Sequence, residues 1–127
     1  MPELVDTFAV LTPTGSAYEE PVTDDLYRRL DKTYNGFAGC ALLSCHRFDR
    51  DWGVWELHPA GDEIVLLLDG AVTLVLREDG AEREVHLAKP LAYTIVPRDT
   101  WHTARTNVAT EMVFLTPGEG TRNEVFD

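Results

Sequence analysis

Short alternations of apolar and polar residues, separated by turn signals, run along most of this chain; the texture is that of β-strands. "TFAVL" near the start reads as an edge strand, and "TPTGSAYEEPVT" after it as turn and loop. "TDDLYRRLDKTY" is the one stretch with helical spacing. Leu26, Tyr27 and Leu30 share a face, Arg28, Arg29 and Lys32 turn to water, Thr23 suits the N-cap, and Asp24 and Asp25 suit the first turn. Beyond Asn35-Gly36 strands take over. "FAGCALLSCHRF" is apolar and extended. "VWELH" alternates, with Val54, Glu56 and His58 on one face and Trp55 and Leu57 on the other. "EIVLLL" is apolar on both faces, "DG" at 69–70 and "EDGA" at 78–81 mark turns on either side of "AVTLVLR", and "EREVHL" returns. "LAYTIVP" and "WHTARTN" flank the "RDT" turn, "TEMVFLT" is the last clear strand, and "PGEGTRNEVFD" closes the chain in Gly and Pro.

About eight or nine strands, a turn every 8–12 residues or so and one short helix predict an all-β sandwich or barrel, not a βαβ fold. The 127 residues suffice for one core but not two, so residues 1–127 are expected to form a single domain. Its barrel would span about 37–117, preceded by a strand and helix in 1–36.

Charge narrows the partners. The formal net charge is −11, from 22 acids against 11 Lys and Arg, and such a surface repels nucleic acid and anionic membranes. No apolar run approaches the roughly 18 residues of a membrane span, and the start lacks a secretory pattern, so a cytoplasmic protein is expected. Cys40 and Cys45 have no metal-type spacing. On an extended strand they lie on opposite faces about 16 Å apart, too far to bridge, and read as buried free thiols.

The chemistry gathers in "HPAGDEIVLLLDG", residues 58–70, where Glu63 opens an otherwise apolar strand although a buried carboxylate is costly. Glu56 and His58 share a strand face, the "PAGD" loop turns the chain so that Glu63 returns beside them, and His102 follows another turn. Two carboxylates in a partly dry cavity repel each other, and a dication removes that penalty. The other arrangement is a hydrogen-bonded cluster with no ion.

These residues resemble the two motifs of the cupin superfamily. His58 fits the second histidine of the first motif, four residues separate it from Glu63, and six more lead to Gly70, with Glu56 where a first histidine usually stands. Pro97 and His102 fit the second motif, in which Asp99 replaces a glycine. "DWGVWELHPAGDEIVLLLDG", "VPRDTWHTA" and "FLTPGEGT" are most similar to small single-domain bacterial cupins with Glu-x-His in the first motif. The resemblance implies a double-stranded β-helix, or jelly-roll barrel, with one divalent ion on Glu56, His58, Glu63 and His102. Two carboxylates and two imidazoles without thiolate suit Zn, Fe, Mn, Ni or Co.

It further implies a metal-dependent enzyme acting on a small organic molecule by oxygenase, isomerase or lyase chemistry. The alternative is a non-catalytic binding module, serving as a sensor or structural dimer. Dimerisation through outer strand faces would suit Trp55 and Leu57 if they are exposed. For acid–base catalysis the candidates are His46, which can also be a plain exposed strand histidine, and Tyr93, if its hydroxyl reaches the cavity. Trp52, Trp55 and Trp101 are candidates for the cavity wall, but Trp55 alternates away from Glu56 and Trp101 points opposite to His102 on a regular strand; Arg105 has the parity of an outer residue and Asp62 reads as a turn residue.

Overall fold

The structure is a computed structural model and describes residues 1–126. Its elements are β1 (Thr7–Leu11), β2 (Ala17–Pro21), α1 (Leu26–Thr33), β3 (Ala41–Phe48), β4 (Val54–Leu57), β5 (Glu63–Asp69), β6 (Val72–Glu78), β7 (Ala81–Leu87), β8 (Tyr93–Val96), β9 (His102–Arg105), β10 (Thr110–Thr116) and β11 (Arg122–Val125). Two antiparallel sheets face each other, in the orders β2-β1-β3-β10-β5-β8 and β11-β4-β9-β6-β7. The all-β expectation holds. No helix among the described residues is long and apolar enough to cross a membrane.

Alternation puts one side of each sheet in the core. Val65 and Leu67 of β5, Met112 and Phe114 of β10, and Leu74 and Leu76 of β6 interleave between the sheets. A second cluster closes one end: Leu26 and Leu30 of α1 pack on Phe8, Val10 and Leu42. Both cysteines are buried and unpaired.

Several expectations need correction. "TPTGSAYEEPVT" is not all loop: residues 17–21 form β2, which pairs with β1 from Thr7↔Pro21 to Leu11↔Ala17 and takes the sheet edge that β1 was expected to occupy. The Gly- and Pro-rich tail contains β11, paired with β4 through Glu124↔Trp55. That pairing buries Trp55 and Leu57, which are 5% and 7% exposed and so are not a free apolar face. The Arg77 guanidinium lies 3.9 Å above the Trp55 ring, and the Phe126 ring centroid is 5.4 Å away. An apolar row stands instead on the outer side of the six-stranded sheet, where the exposed Leu43, Ile64 and Ile95 and the half-buried Leu115 lie in register across β3, β10, β5 and β8. Asp25, not Thr23, is the N-cap residue of α1; the Thr23 hydroxyl donates to the Asp25 carboxylate at 2.6 Å.

One carboxylate moors the helix to the edge strand. Glu20 accepts from the Tyr34 hydroxyl at 2.5 Å and from Arg29 Nη1 at 2.8 Å. Partial burial and the adjacent Glu20 carboxylate push the Tyr34 phenol from its ordinary 10.0 up to about 12. A raised value in the folded state favours the protonated form. The contribution is therefore complete below pH 10.0 and disappears as pH rises through about 12. Tyr34→Phe should lose about 1 kcal/mol at neutral pH. Urea unfolding at a series of pH values should also show a shallower alkaline decline for the variant than for wild type.

Candidate metal centre

Strand pairing brings the four motif side chains together. Glu56 of β4 is the cross-strand partner of His102 of β9. His58 follows β4 directly, and Glu63 begins β5 opposite Val96. Two turns are tied across the gap: the Asp62 carboxylate accepts the Arg98 backbone N–H at 2.8 Å, and the His58 carbonyl accepts the Asp99 N–H at 3.2 Å. Asp62 is thus a turn residue with a partner. Asp99 stands where the second cupin motif usually has glycine, and its φ of 59° explains the preference, since Asp and Asn are the side chains that tolerate this left-handed region best.

His58 Nε2 lies 3.3 Å from Glu63 Oε2 and 3.7 Å from Glu56 Oε2. His102 Nε2 lies 3.2 Å from Glu63 Oε1 and 4.0 Å from Glu56 Oε2. Ligand atoms of Glu56, His58 and His102 all lie within 4.8 Å of one another. Around one ion with bonds of about 2.1 Å, neighbouring donors stand roughly 3.0–3.4 Å apart. Glu63 stands near that spacing from each imidazole, though through different oxygens, Oε2 toward His58 and Oε1 toward His102, while Glu56 stands a little farther out and completes the group of three with the histidines.

The outer hydrogen bonds set which nitrogen is free. The Thr121 hydroxyl donates to the Gly118 carbonyl at 2.9 Å, so at 2.8 Å it accepts from His58 Nδ1–H. His102 Nδ1–H donates to the Thr100 carbonyl at 3.0 Å. Both rings are then anchored through Nδ1 and turn Nε2 inward, the usual support of a metal-bound imidazole. Glu63 is held likewise, its Oε2 accepting the Thr116 hydroxyl at 2.6 Å. Among the described residues, three buried side-chain atoms are left with no hydrogen-bond partner: His58 Nε2, His102 Nε2 and Glu63 Oε1. All three belong to this one cluster, with Glu63 Oε1 3.2 Å from His102 Nε2 and the two imidazole centroids 5.2 Å apart, although buried polar atoms are normally satisfied. The nitrogen-to-oxygen distances are short, yet their directions do not make hydrogen bonds. A cation fits this donor set.

Electrostatics agrees. Burial pushes the Glu56 carboxyl up and the nearby Glu63 pushes it further, partly offset by the two imidazoles. Burial also pushes Glu63 up, but His102 and His58 more than reverse this and bring it down to about 2. Burial pushes His102 down, and Glu63 reverses that too, so its net direction is up. Without an ion, Glu63 favours the protonated His102 imidazole as its counter-charge. A dication would take that proton's place.

Above the cluster opens a cavity of about 650 Å3. His46 lines it from β3, in register with the buried Met112; it is an exposed strand histidine, as one reading of the sequence had it, but its exposure is to the cavity, where partial desolvation holds its imidazole below the usual value. Trp52 lines it as well, whereas Trp101 sits under the Arg122 guanidinium at 5.5 Å, outside the cavity lining. Tyr93 does not reach it: paired with Leu66 on β8, it points to the outer side of the sheet and is 62% exposed, which removes it as a catalytic candidate. Arg105 is exposed, as its parity requires. Sequence reasoning passed over Thr116, Thr121 and Asn123, which line the cavity, and grouped Tyr27 with Leu26 and Leu30 on one helix face, although those two are buried and Tyr27 is 61% exposed along the cavity. Parity within "TEMVFLT" marks Thr116 as inward, alongside Phe114. Nothing in "GEGTRN" marks the other two.

No family profile matches the sequence, and no curated protein does. Solved structures do match. A cupin-2 domain containing protein from Shewanella frigidimarina superposes with a TM-score of 0.52 at 14% identity, over 61% of this chain and 70% of that one. An oxalate oxidase superposes with a TM-score of 0.54 at 16% identity, over 68% of this chain and 45% of that one. A variant of Bacillus subtilis oxalate decarboxylase gives 0.53 at 12% identity, over 68% of this chain and 24% of that one. This chain has the cupin fold. It spans less than half the length of the oxidase and about a quarter of the decarboxylase. At these identities the likeness concerns the fold, which carries both an oxidase and a decarboxylase.

Proposed function

We propose that this chain holds one divalent ion on Glu56, His58, Glu63 and His102 and is a metal-dependent enzyme for a small organic molecule. The observation that carries the reading is that three partnerless buried atoms, His58 Nε2, His102 Nε2 and Glu63 Oε1, belong to one cluster. Zn, Fe, Mn, Ni and Co all suit the donor set. When bound, the ion supplies Lewis-acid polarisation of a substrate oxygen. The chain's own residues do the rest. Thr121 and Thr100 fix the imidazoles, Thr116 orients Glu63, and Trp52, Phe114 and Phe48 give the cavity an apolar side for the substrate. His46 is the polar group on the wall suited to exchange a proton with a substrate.

Elemental analysis of tag-free protein tests the metal. Wild type should carry about one divalent ion per chain, and His58→Ala and Glu63→Ala should carry almost none. Trace metal in wild type, unchanged in both variants, would sink the reading. Oxygen uptake and product analysis with loaded protein then separate turnover from mere binding.

Two unpaired buried cysteines support a reducing compartment, the cytoplasm. The row Leu43, Leu115, Ile64 and Ile95 supports a homodimer through the outer side of the six-stranded sheet. A two-fold interface brings identical residues together, and an uncharged row in a chain of net charge −11 suits that. Ile64→Asp, at a 40% exposed position, should convert a dimer to monomer in sedimentation while leaving the fold intact; a monomeric wild type would refute the assignment.

A further inference from the structure

The cavity has a chemical bias of its own. One wall is a run of packed rings: His46 on Phe114, Phe114 on Trp52 and Trp52 on Phe48, with centroids 5.6, 5.8 and 5.9 Å apart, and the buried Phe8 backs His46 from behind at 5.3 Å. The run reaches the cluster, since Trp52 lies 6.4 Å from the His102 ring. The rings meet tilted or edge to face, at interplanar angles of 65°, 48° and 68°, so one more small ring finds aromatic edges and faces to pack against, with its own edge toward the candidate metal ligands.

Charge points the same way. Arg47 is the cation that lines the cavity; its guanidinium is paired with Glu111, and its side chain is 67% exposed at the rim. Lining acids are Glu56, Glu63 and Asp31. A dication on the cluster would balance the two glutamates and leave nothing over for Asp31. His46 is open to the cavity, and the partial desolvation there moves its imidazole toward the neutral form, so it serves as a ring of the wall with one polar edge. A ligand carrying two or more carboxylates therefore finds no second counter-charge, and leaving a buried charge unpaired is costly. A weakly acidic phenol or catechol, which near pH 7 gives up at most one proton, needs only the cluster.

Resting on the metal reading for its oxygen contact, we propose that the cavity takes a small planar aromatic compound with a weakly acidic hydroxyl, a phenol or an enol, in preference to a dicarboxylate. The ring lies along Trp52, Phe114 and Phe48, and the hydroxyl oxygen faces Glu56, His58, Glu63 and His102.

Titration calorimetry of the protein with catechol and with oxalate, at measured metal content, tests this. Catechol should bind at least about tenfold more tightly than oxalate. Trp52→Leu should weaken catechol about tenfold and leave oxalate unchanged, since losing an aromatic partner costs about 1.4 kcal/mol at the upper end of its usual range. Phe48→Leu serves the same purpose if the Trp52 variant does not fold. Oxalate binding as tightly as catechol, catechol affinity indifferent to either substitution, or binding of neither probe at millimolar concentration would each overturn the proposal. A metal-free chain that still takes catechol through Trp52 would retire the metal reading and keep this one. A fully loaded chain that prefers oxalate would do the reverse.

Discussion

Stripping divalent metal from the wild-type protein should lower its melting temperature by about 10 °C, and the same treatment should leave Glu63→Ala where it was. An ion that binds only the folded chain stabilises it by about 4 kcal/mol at a thousand times its dissociation constant. For a domain of this size each kcal/mol is worth about 3 °C. The stripped protein should remain folded, because the cluster has a second way to balance itself. Glu56 is pushed toward its neutral form by burial and by Glu63, and His102 is drawn toward its charged form by Glu63. Calorimetric scans with and without chelator, followed by add-back of Zn, Mn, Ni, Co and Fe in turn, give the measurement. Equal melting temperatures for loaded and stripped wild type would mean that the cluster is a closed hydrogen-bonded network after all.

Much of this was legible in the sequence, for physical reasons that differ by element. The motif spacings worked because a short turn between two strands leaves little freedom: His58, Glu63 and Gly70 have their places once "PAGD" and "DG" are turns. Glu56 and His102 needed only strand parity and one cross-strand pairing. The misses share a cause. "AYEEP" and "RNEV" are weak strand formers with almost no buried residue, and each is a strand because an apolar neighbour, β1 or β4, offers it a ladder. Missing β11 then hid two further facts: that Trp55 is covered on its outer side, and that Thr121 reaches back to anchor His58. Tyr93 failed as a catalytic candidate for a simpler reason. Parity on β8 puts it with Ile95 on the outer face, and the buried Val96 takes the inner side beside Glu63.

Gly70 is where motif and mechanics meet, and replacing it should be among the most damaging single changes outside the cluster. It sits in the turn between β5 and β6 with φ +88°, a region that L side chains rarely adopt. A methyl group there would run into the Ala109 carbonyl oxygen and come within 2.8 Å of the Thr110 Cα, both backbone atoms that cannot swing aside. The same corner is pinned from the other side, since the Thr106 and Thr110 hydroxyls both donate to the Ala71 carbonyl, at 2.6 and 3.1 Å. β5 carries Glu63 at its far end, so a shift at this turn is passed along the strand to the candidate metal ligands. Left-handed strain of about 1–2 kcal/mol and overpacking of about 1–3 kcal/mol add to about 3 kcal/mol for Gly70→Ala, or about 10 °C in melting temperature. Gly80 is the control. Its φ of +78° is similar, but nothing lies within 4 Å of a Cβ placed there, so Gly80→Ala should pay only the strain, about 1 kcal/mol. Thermal scans of the two variants side by side measure the contact separately from the backbone. If they lost equal stability, the close approach at Ala109 and Thr110 would carry none of the cost, and the reason for a glycine at position 70 would reduce to its φ alone.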